Sequence, residues 1–390
     1  MDAISIPNHP GTIAEKAARA FLTRFGGKPR LFSAPGRINV IGEHTDYSQG
    51  FVMPAAIDRV CVVAMAPNGL DQVRVVSLNH GEEAELGPRF ERRGVWTDYV
   101  AGVRAALVDA GFGIPGCDLV ISSDVPEGAG VSSSAALEVS VMCALLAAAQ
   151  ETASPAEIAR WAQIAEATYV GMPCGIMDQF IAANGVAGAA LVLDCRSLSF
   201  ETVAFPDDVV FLVVDSQVRH KLVDGGYAAR RADCEAAARL LGLEALRDAR
   251  ADMLPSAELP ERIFRRARHV ISENDRVLET ATALVRRDVA KVGRLMNASH
   301  ASLRDDFNVT CVETDTLAAI AASMSGVYGA RQMGGGFGGA VLALADRASA
   351  DATCRSIVAA YADATAIEAS AFACTLSGGA HEIIAGDRPE

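Results

Sequence analysis

Two glycines and three serines, set where an apolar strand pattern gives way to an alanine-rich helix pattern, form the stretch of this chain best suited to hold an anion. It runs from Asp118 to Ala149, DLVISSDVPEGAGVSSSAALEVSVMCALLAAA. Gly128 and Gly130, on either side of Ala129, have no side chains to keep a ligand off the backbone, so consecutive N–H groups can face a phosphate. Ser132, Ser133 and Ser134 add hydroxyls where the helix pattern starts, and the unpaired N–H groups of a first helical turn add partial positive charge. Gly, Ser and Pro at such a join would also serve a plain connection. No Walker lysine follows, and Gly26-Gly27-Lys28-Pro29 has neither the spacing nor the Ser/Thr of a P-loop. A metal ion and backbone dipoles would therefore have to balance most of the phosphate charge.

A second group precedes it. Arg37, Glu43, His44 and Asp46 fall within ten residues, interleaved with Ile38, Val40 and Ile41. A surface loop explains any one of them, but all four together suggest groups converging on a polar ligand. Carboxylates and an imidazole accept hydrogen bonds from hydroxyls, so the ligand class is a polyol. Farther on, Glu166 sits in the last turns of a helix pattern, where a carboxylate opposes the helix dipole unless a cation or solvent offsets it. Asp178 stands in the otherwise apolar stretch Gly171–Phe180, and a poorly solvated carboxylate is costly unless paired. Arg37 is the expected partner. Trp96 opens a helical stripe with Tyr99, Val100, Val103 and Leu107; most of that stripe is core, while Trp96 could lie against a flat ring such as adenine.

These groups need a scaffold of alternating strands and helices. The chain begins with a helix pattern capped by Thr12 with Glu15 and closed by Gly26-Gly27. A short strand, Leu31 to Ser33, leads into the polyol group. Strands at Val60–Ala66 and Val73–Ser77 are joined through the turn signal Pro67-Asn68-Gly69. Ser154-Pro155-Ala156-Glu157 reads as a capping box with proline at the first helical position. Strands follow at Ala189–Leu193, Glu201–Ala204, Val209–Val214, Ala340–Ala345 and Ala369–Leu376. Helices follow around Cys234–Leu241, over the arginine-rich run Ile263–Leu284, whose arginines suit a solvated face, and around Cys354–Tyr361. Mixed α and β elements in both halves imply an α/β (α+β) protein of two domains, 1–200 and 201–390, with the site in the cleft between them.

Composition narrows the partners. The length of 390 residues exceeds one ordinary core, and 51% hydrophobic residues suffice to bury two. A net charge of −13 argues against nucleic acid or anionic membrane, and no protein partner is implied. Nine scattered cysteines without a Cys-x-x-Cys pair read as thiols in a reducing compartment, the cytoplasm. Asp2 and the early prolines, with no basic region before an apolar one, give no secretory signal.

Three blocks, GRINVIGEHTDY at 36–47, PEGAGVSSSAA at 126–136 and GGGFGGA at 334–340, resemble the three signatures of the GHMP kinases, and the first resembles the galactokinase branch. CGIMDQF at 174–180, the run from His220 to Glu235 with Tyr227 and Arg230-Arg231, and SHASLRDDF at 299–307 extend the likeness along nearly the whole chain. The resemblance implies the GHMP kinase architecture and transfer of a phosphoryl group from ATP to the C1 hydroxyl of galactose. It implies that Gly128, Ala129, Gly130, Ser132, Ser133 and Ser134 wrap the ATP phosphates, and that Ser134 and Glu166 bind Mg²⁺. Asp178 becomes the base, with Arg37 beside it. Glu43, His44, Asp46, the backbone at Gly175 and Tyr227 match sugar-holding positions, and Trp96 matches an adenine-pocket residue. Asn308 and Gly334–Gly339 could close over the nucleotide.

Some positions depart from the family pattern. Ser48 stands for a usual asparagine, Gln332-Met333-Gly334-Gly335 for Met-Thr-Gly-Ala, and Glu127 brings a negative charge into the phosphate loop, so it must point away from the phosphates. Because a few pocket contacts decide among sugars, a sister 1-kinase for N-acetylgalactosamine or L-arabinose is the enzyme alternative. Galactose-sensing regulators of the same fold have lost a Ser-Ala pair from the serine loop; here Ser134-Ala135 is present, which favours catalysis.

Overall fold

The computed structural model describes residues 10–219, 223–255 and 258–384. Asp2 and Pro7, and His220 at the head of the Tyr227 run, lie outside the described residues. In chain order come α1 (Pro10–Phe25), β1 (Arg30–Asn39), β2 (Phe51–Val52), β3 (Pro54–Pro67), β4 (Val73–Ser77), β5 (Glu82–Leu86), α2 (Thr97–Asp109) and β6 (Cys117–Ser123). Next are α3 (Ser133–Ala148), α4 (Pro155–Ile164), a π-helical segment (Ala165–Val170), α5 (Met177–Asn184), β7 (Ala189–Asp194), β8 (Phe200–Ala204) and β9 (Val209–Arg219). The remainder is α6 (Val223–Leu240), α7 (Glu261–Val285), α8 (Val289–Ser302), a second π-helical segment (Leu303–Phe307), α9 (Val312–Ser323), β10 (Val327–Met333), β11 (Gly338–Asp346), α10 (Ala350–Thr365), β12 (Ser370–Cys374) and β13 (His381–Ile383).

Among the described residues the strands form three sheets, ordered β13-β1-β3-β6-β4-β5, β10-β11-β9-β12 and β2-β7-β8. All neighbours are antiparallel except β4 and β6, so the fold is the mixed α+β kind. Strand alternation explains the layering. On β3, Val60, Val62 and Ala64 face α1 at Ile13, Ala17 and Phe21, while Cys61, Val63 and Met65 join the main core with α3. Period-two side chains thus bury both faces of one strand. On β9, Val210, Leu212 and Val214 likewise pack with Leu317, Ile357 and Tyr361 of α9 and α10, and Val209, Phe211 and Val213 join the main core. Helix α3 has buried residues on every face, from Ala135 and Val139 to Met142 and Leu146, as expected of a helix apolar all round.

Several sequence expectations shift. Helix α1 starts at Pro10, so Thr12 lies inside its first turn instead of capping it. Strand β1 continues past Ser33 to Asn39, broken by a register shift between Pro35 and Arg37. The Pro67-Asn68-Gly69 turn does not close a hairpin: β4 pairs with β5 and, in parallel, with β6. A turn dipeptide fixes where the chain reverses, while strand partners are chosen by burial far along the sequence. Among the α7 arginines, Arg266 is buried and donates from Nη1 to the Asp306 carbonyl.

Candidate active site

The irregularity in β1 re-aims Arg37, as bulges do beside functional sites. The Arg37 amide donates to the Val131 carbonyl at 3.0 Å, which ties β1 to the serine loop. A Cβ on Gly36 would meet Val125 Cγ1 at 2.8 Å and the Val131 carbonyl at 2.9 Å, so only glycine lets the loop lie this close. From that position Arg37 clamps Asp178, in the first turn of α5, with Nε to Oδ1 and Nη2 to Oδ2 both 2.7 Å. Its Nη1 donates to the Gly130 carbonyl. Ser132, at the N-cap of α3 with φ of 57°, donates its hydroxyl to Asp178 Oδ2. Arg37 is 6% exposed and Asp178 28% exposed, so the carboxylate keeps access to the space in front of it.

That space is a cavity of about 440 Å³ lined by Arg37, Glu43, His44, Asp46, Gly175, Asp178, Tyr227, Gly334 and Gly335, within the usual size of small-molecule sites. Every polyol-group residue expected from the sequence faces it, and residues from both halves of the chain close it. Asp46 rests against Gly175, where any Cβ would collide with its carboxylate. Burial, and then the nearby Asp178 charge, push the Asp46 carboxyl up to about 6. His44 has φ of 61° and its Nδ1 lies 3.0 Å from the Tyr47 hydroxyl. Burial, then His269 and Arg230, push His44 down to about 3, so its ring is neutral. Its Nε2 has no hydrogen-bond partner among the described residues. Burial raises the Tyr227 phenol well above its ordinary value.

A second cavity, about 290 Å³, is lined by Ser77, His80, Trp96, Tyr99, Glu127, Gly128, Ser133 and Ser134 among others. The serine loop therefore serves both spaces: Ser133 and Ser134 face the second, whereas the Ser132 hydroxyl belongs to Asp178. Gly128 and Gly130 have φ of 74° and 70°, the left-handed region that favours glycine. Ala129 buries its methyl in the core and can offer only its backbone. Gly334 and Gly335 line the first cavity, with Gly334 against Gly130. Asn308 lines neither; its carbonyl accepts from Arg230 Nη2 at 2.7 Å.

Glu166 is the second residue of the π-helical segment Ala165–Val170, an uncommon element concentrated at functional sites. Its buried carboxylate meets the Ser134 hydroxyl and the Gln179 amide. Burial, then Asp178, raise its pKa. Gln179 Nε2 also donates to Glu138 Oε2 at 3.0 Å. Glu138, fully buried in α3, is raised well above the carboxylate range by burial and then by Glu166, and its Oε1 has no hydrogen-bond partner among the described residues. The sequence reading gave Glu138 no role, although a charge inside an otherwise apolar helix was the available signal. Also missed were Arg331, which holds Glu43, and Arg219, whose Nε lies 3.4 Å from where a Gly128 Cβ would stand.

A glycine and serine loop at the head of a buried helix, opening on one side to a polar cavity with a clamped aspartate and on the other to an aromatic-lined one, defines a GHMP kinase. The family models described as GHMP kinases N terminal domain and GHMP kinases C terminal match residues 98–186 and 280–363. A third, the galactokinase galactose-binding signature, matches residues 19–67 and so spans Arg37, Glu43, His44 and Asp46. The chain is 44% identical over 380 residues to the galactokinase of Roseiflexus sp. (strain RS-1), covering 95% of this chain and 97% of that one. It is 44% identical to the galactokinase of Chloroflexus aurantiacus, covering 94% and 97%. Lactococcus lactis galactokinase, solved in complex with galactose, superposes with a TM-score of 0.90 at 31% identity over 94% of this chain and 98% of that one. Mevalonate kinase of Methanococcus jannaschii shares the fold at a TM-score of 0.67 and 16% identity, over 90% and 99% of the two chains. The chain belongs to the galactokinase family.

Proposed function

We propose that the first cavity holds galactose and the second ATP, and that the γ-phosphoryl group passes to the anomeric C1 hydroxyl across the seam formed by Gly130, Ser132 and Asp178. The products are galactose 1-phosphate and ADP. One observation carries this assignment: the Asp178 carboxylate faces the polar cavity while accepting from Ser132, the residue that heads the phosphate-loop helix. Attacking oxygen and terminal phosphorus are thereby brought to one carboxylate.

Asp178 takes the C1 hydroxyl proton as the new P–O bond forms and the bond to the β-phosphate oxygen breaks. Arg37 fixes both carboxylate oxygens, so the base loses little orientation when the sugar binds. Glu43, His44, Asp46 and Tyr227, with the Gly175 backbone, orient the sugar. Neutral His44 can accept a hydroxyl hydrogen bond at Nε2 if its proton is on Nδ1. The N–H groups of the Gly128–Gly130 loop and the start of α3 face the phosphates.

The Ser134 hydroxyl and the Glu166 carboxylate suit Mg²⁺, which prefers oxygen ligands. Glu166 and Glu138 meet on one Gln179 amide, with Glu138 Oε1 unpartnered, and a cation held by Glu166 would offset the negative charge buried there. When bound, the ion would neutralise charge on the transferring phosphates. We also propose that the chain divides into two domains, 1–200 and 201–390, a reading that the separate family matches at 98–186 and 280–363 support, and nine free thiols favour a reducing cytoplasmic setting. No helix among the described residues is long and apolar enough to cross a membrane.

The test is ADP release from ATP and Mg²⁺ with galactose, N-acetylgalactosamine and L-arabinose. Release with galactose is expected. Release only with another sugar would reassign the acceptor, and sugar and ATP binding without release would make the chain a sensor.

A further inference from the structure

Glu127 puts a carboxylate in the phosphate loop, where it would repel the nucleotide unless turned aside. The structure turns it to His80, with Oε1 3.3 Å from Nε2. His80 follows β4 and its amide donates to Ser77 Oγ at 3.2 Å. Its ring lies nearly parallel to Trp96, with centroids 5.5 Å apart and planes at 23°. The Trp96 indole N–H donates to Glu82 Oε2 at 2.7 Å. His80, Trp96, Glu127 and Gly128 line the same cavity as Ser133 and Ser134.

An exposed histidine–carboxylate contact by itself contributes little. Here it joins two parts of one site. The centroid spacing leaves no room for a base between the two rings, so His80 backs the indole, which also packs against the main core and lines the cavity. We propose that His80 is a positioning residue for the nucleotide: it braces Trp96 as the platform for the base and is itself held by Glu127, so that the base platform and the phosphate loop are set together. The inference rests on the assignment of this cavity to ATP. It also gives Glu127 a purpose, because its carboxylate has a partner in His80.

The experiment is steady-state kinetics on the full chain carrying His80→Ala, Glu127→Ala, both together, His80→Phe and Trp96→Ala, with ADP binding measured by calorimetry. Loss of the brace in His80→Ala or Glu127→Ala should raise KM for ATP and Kd for ADP about threefold to tenfold, a larger change than in kcat at saturating ATP or in KM for galactose. The double variant should be no weaker than His80→Ala, because Glu127 acts through His80. His80→Phe, which keeps a flat ring, should recover most of the affinity lost in His80→Ala. Unchanged KM for ATP in the single variants, a lower KM in Glu127→Ala, strictly additive effects, or a parallel loss of kcat would each overturn the proposal. If Trp96→Ala alone raises KM, the cavity assignment survives that failure; if Trp96→Ala also has no effect, the assignment fails with it.

Discussion

The Glu43 carboxylate accepts from the Arg331 guanidinium at 3.0 Å, joining the sugar-site loop of the first half to β10 of the second. Arg331 is wholly buried and also donates to the carbonyls of Val40 at 2.8 Å, Gln332 at 2.9 Å, and Asn39. The Gly334 amide donates to the same Glu43 oxygen at 3.0 Å. Removing one partner of a buried pair leaves an uncompensated charge, which typically costs about 3–5 kcal/mol. Arg331→Ala should therefore lower the denaturation midpoint sharply. Arg331→Lys should fall between, since an ammonium cannot reproduce the planar fork. Denaturant unfolding of the three proteins measures this, and equal midpoints would remove Arg331 as the tie between the halves.

Asp178→Asn keeps the shape of the side chain but cannot accept the C1 proton. General-base contributions are of the order of 10²–10⁴-fold, so kcat should fall at least that far while ATP and galactose still bind. Ser132→Ala, which removes one hydrogen bond to the carboxylate, should cost far less. Single-turnover rates with calorimetric binding of both ligands separate the two effects. Near-normal turnover in purified Asp178→Asn would end its assignment as base.

Much of this site was legible before any coordinates, for identifiable reasons. The Ser154 capping box is local, and Ser154 Oγ does accept from the Glu157 amide at 3.3 Å. The pairing of Arg37 with Asp178 across 141 residues followed from the cost of a lone carboxylate among apolar neighbours. What escaped depends on conformation or on distant partners. Ser132 was grouped with the other loop serines, but its left-handed φ sends its hydroxyl to Asp178. Gln179 and Glu138 meet over 41 residues, and neither residue type advertises the other. The partners of β4 are set by which faces the core buries, which the adjacent turn does not encode.

Glu166→Gln should weaken the metal requirement's site without disturbing the sugar cavity. Even substitutions of groups that only support a metal ligand commonly cost about 10–100-fold in affinity, so half-maximal activity should need at least about tenfold more Mg²⁺. KM for galactose should stay near that of the parent protein. A Mg²⁺ titration of initial rates, paired with direct metal-binding calorimetry in the presence of ADP, reads both quantities. Chelation with EDTA should stop ADP release, and readdition of Mg²⁺ should restore it. An unchanged Mg²⁺ dependence would take Glu166 out of the metal site.

Asp46 should make galactose binding a proton-linked event. Burial first, and the Asp178 charge second, hold its carboxyl up near 6 in the free protein. Sugar hydroxyls that donate to the ionised form favour that form, so binding must lower this pKa and release protons when the pH lies near or below 6. The sign follows from the free state holding more protons than the bound one. At pH 6 about half a proton should leave per galactose bound, falling toward zero by about pH 8. His44, held near 3, adds nothing in that window. Calorimetric titration in buffers of different ionisation enthalpy measures the release directly. In Asp178→Asn the second cause is gone, so the midpoint of proton release should move to lower pH, and a midpoint that stayed put would show that the two carboxylates do not sense one another.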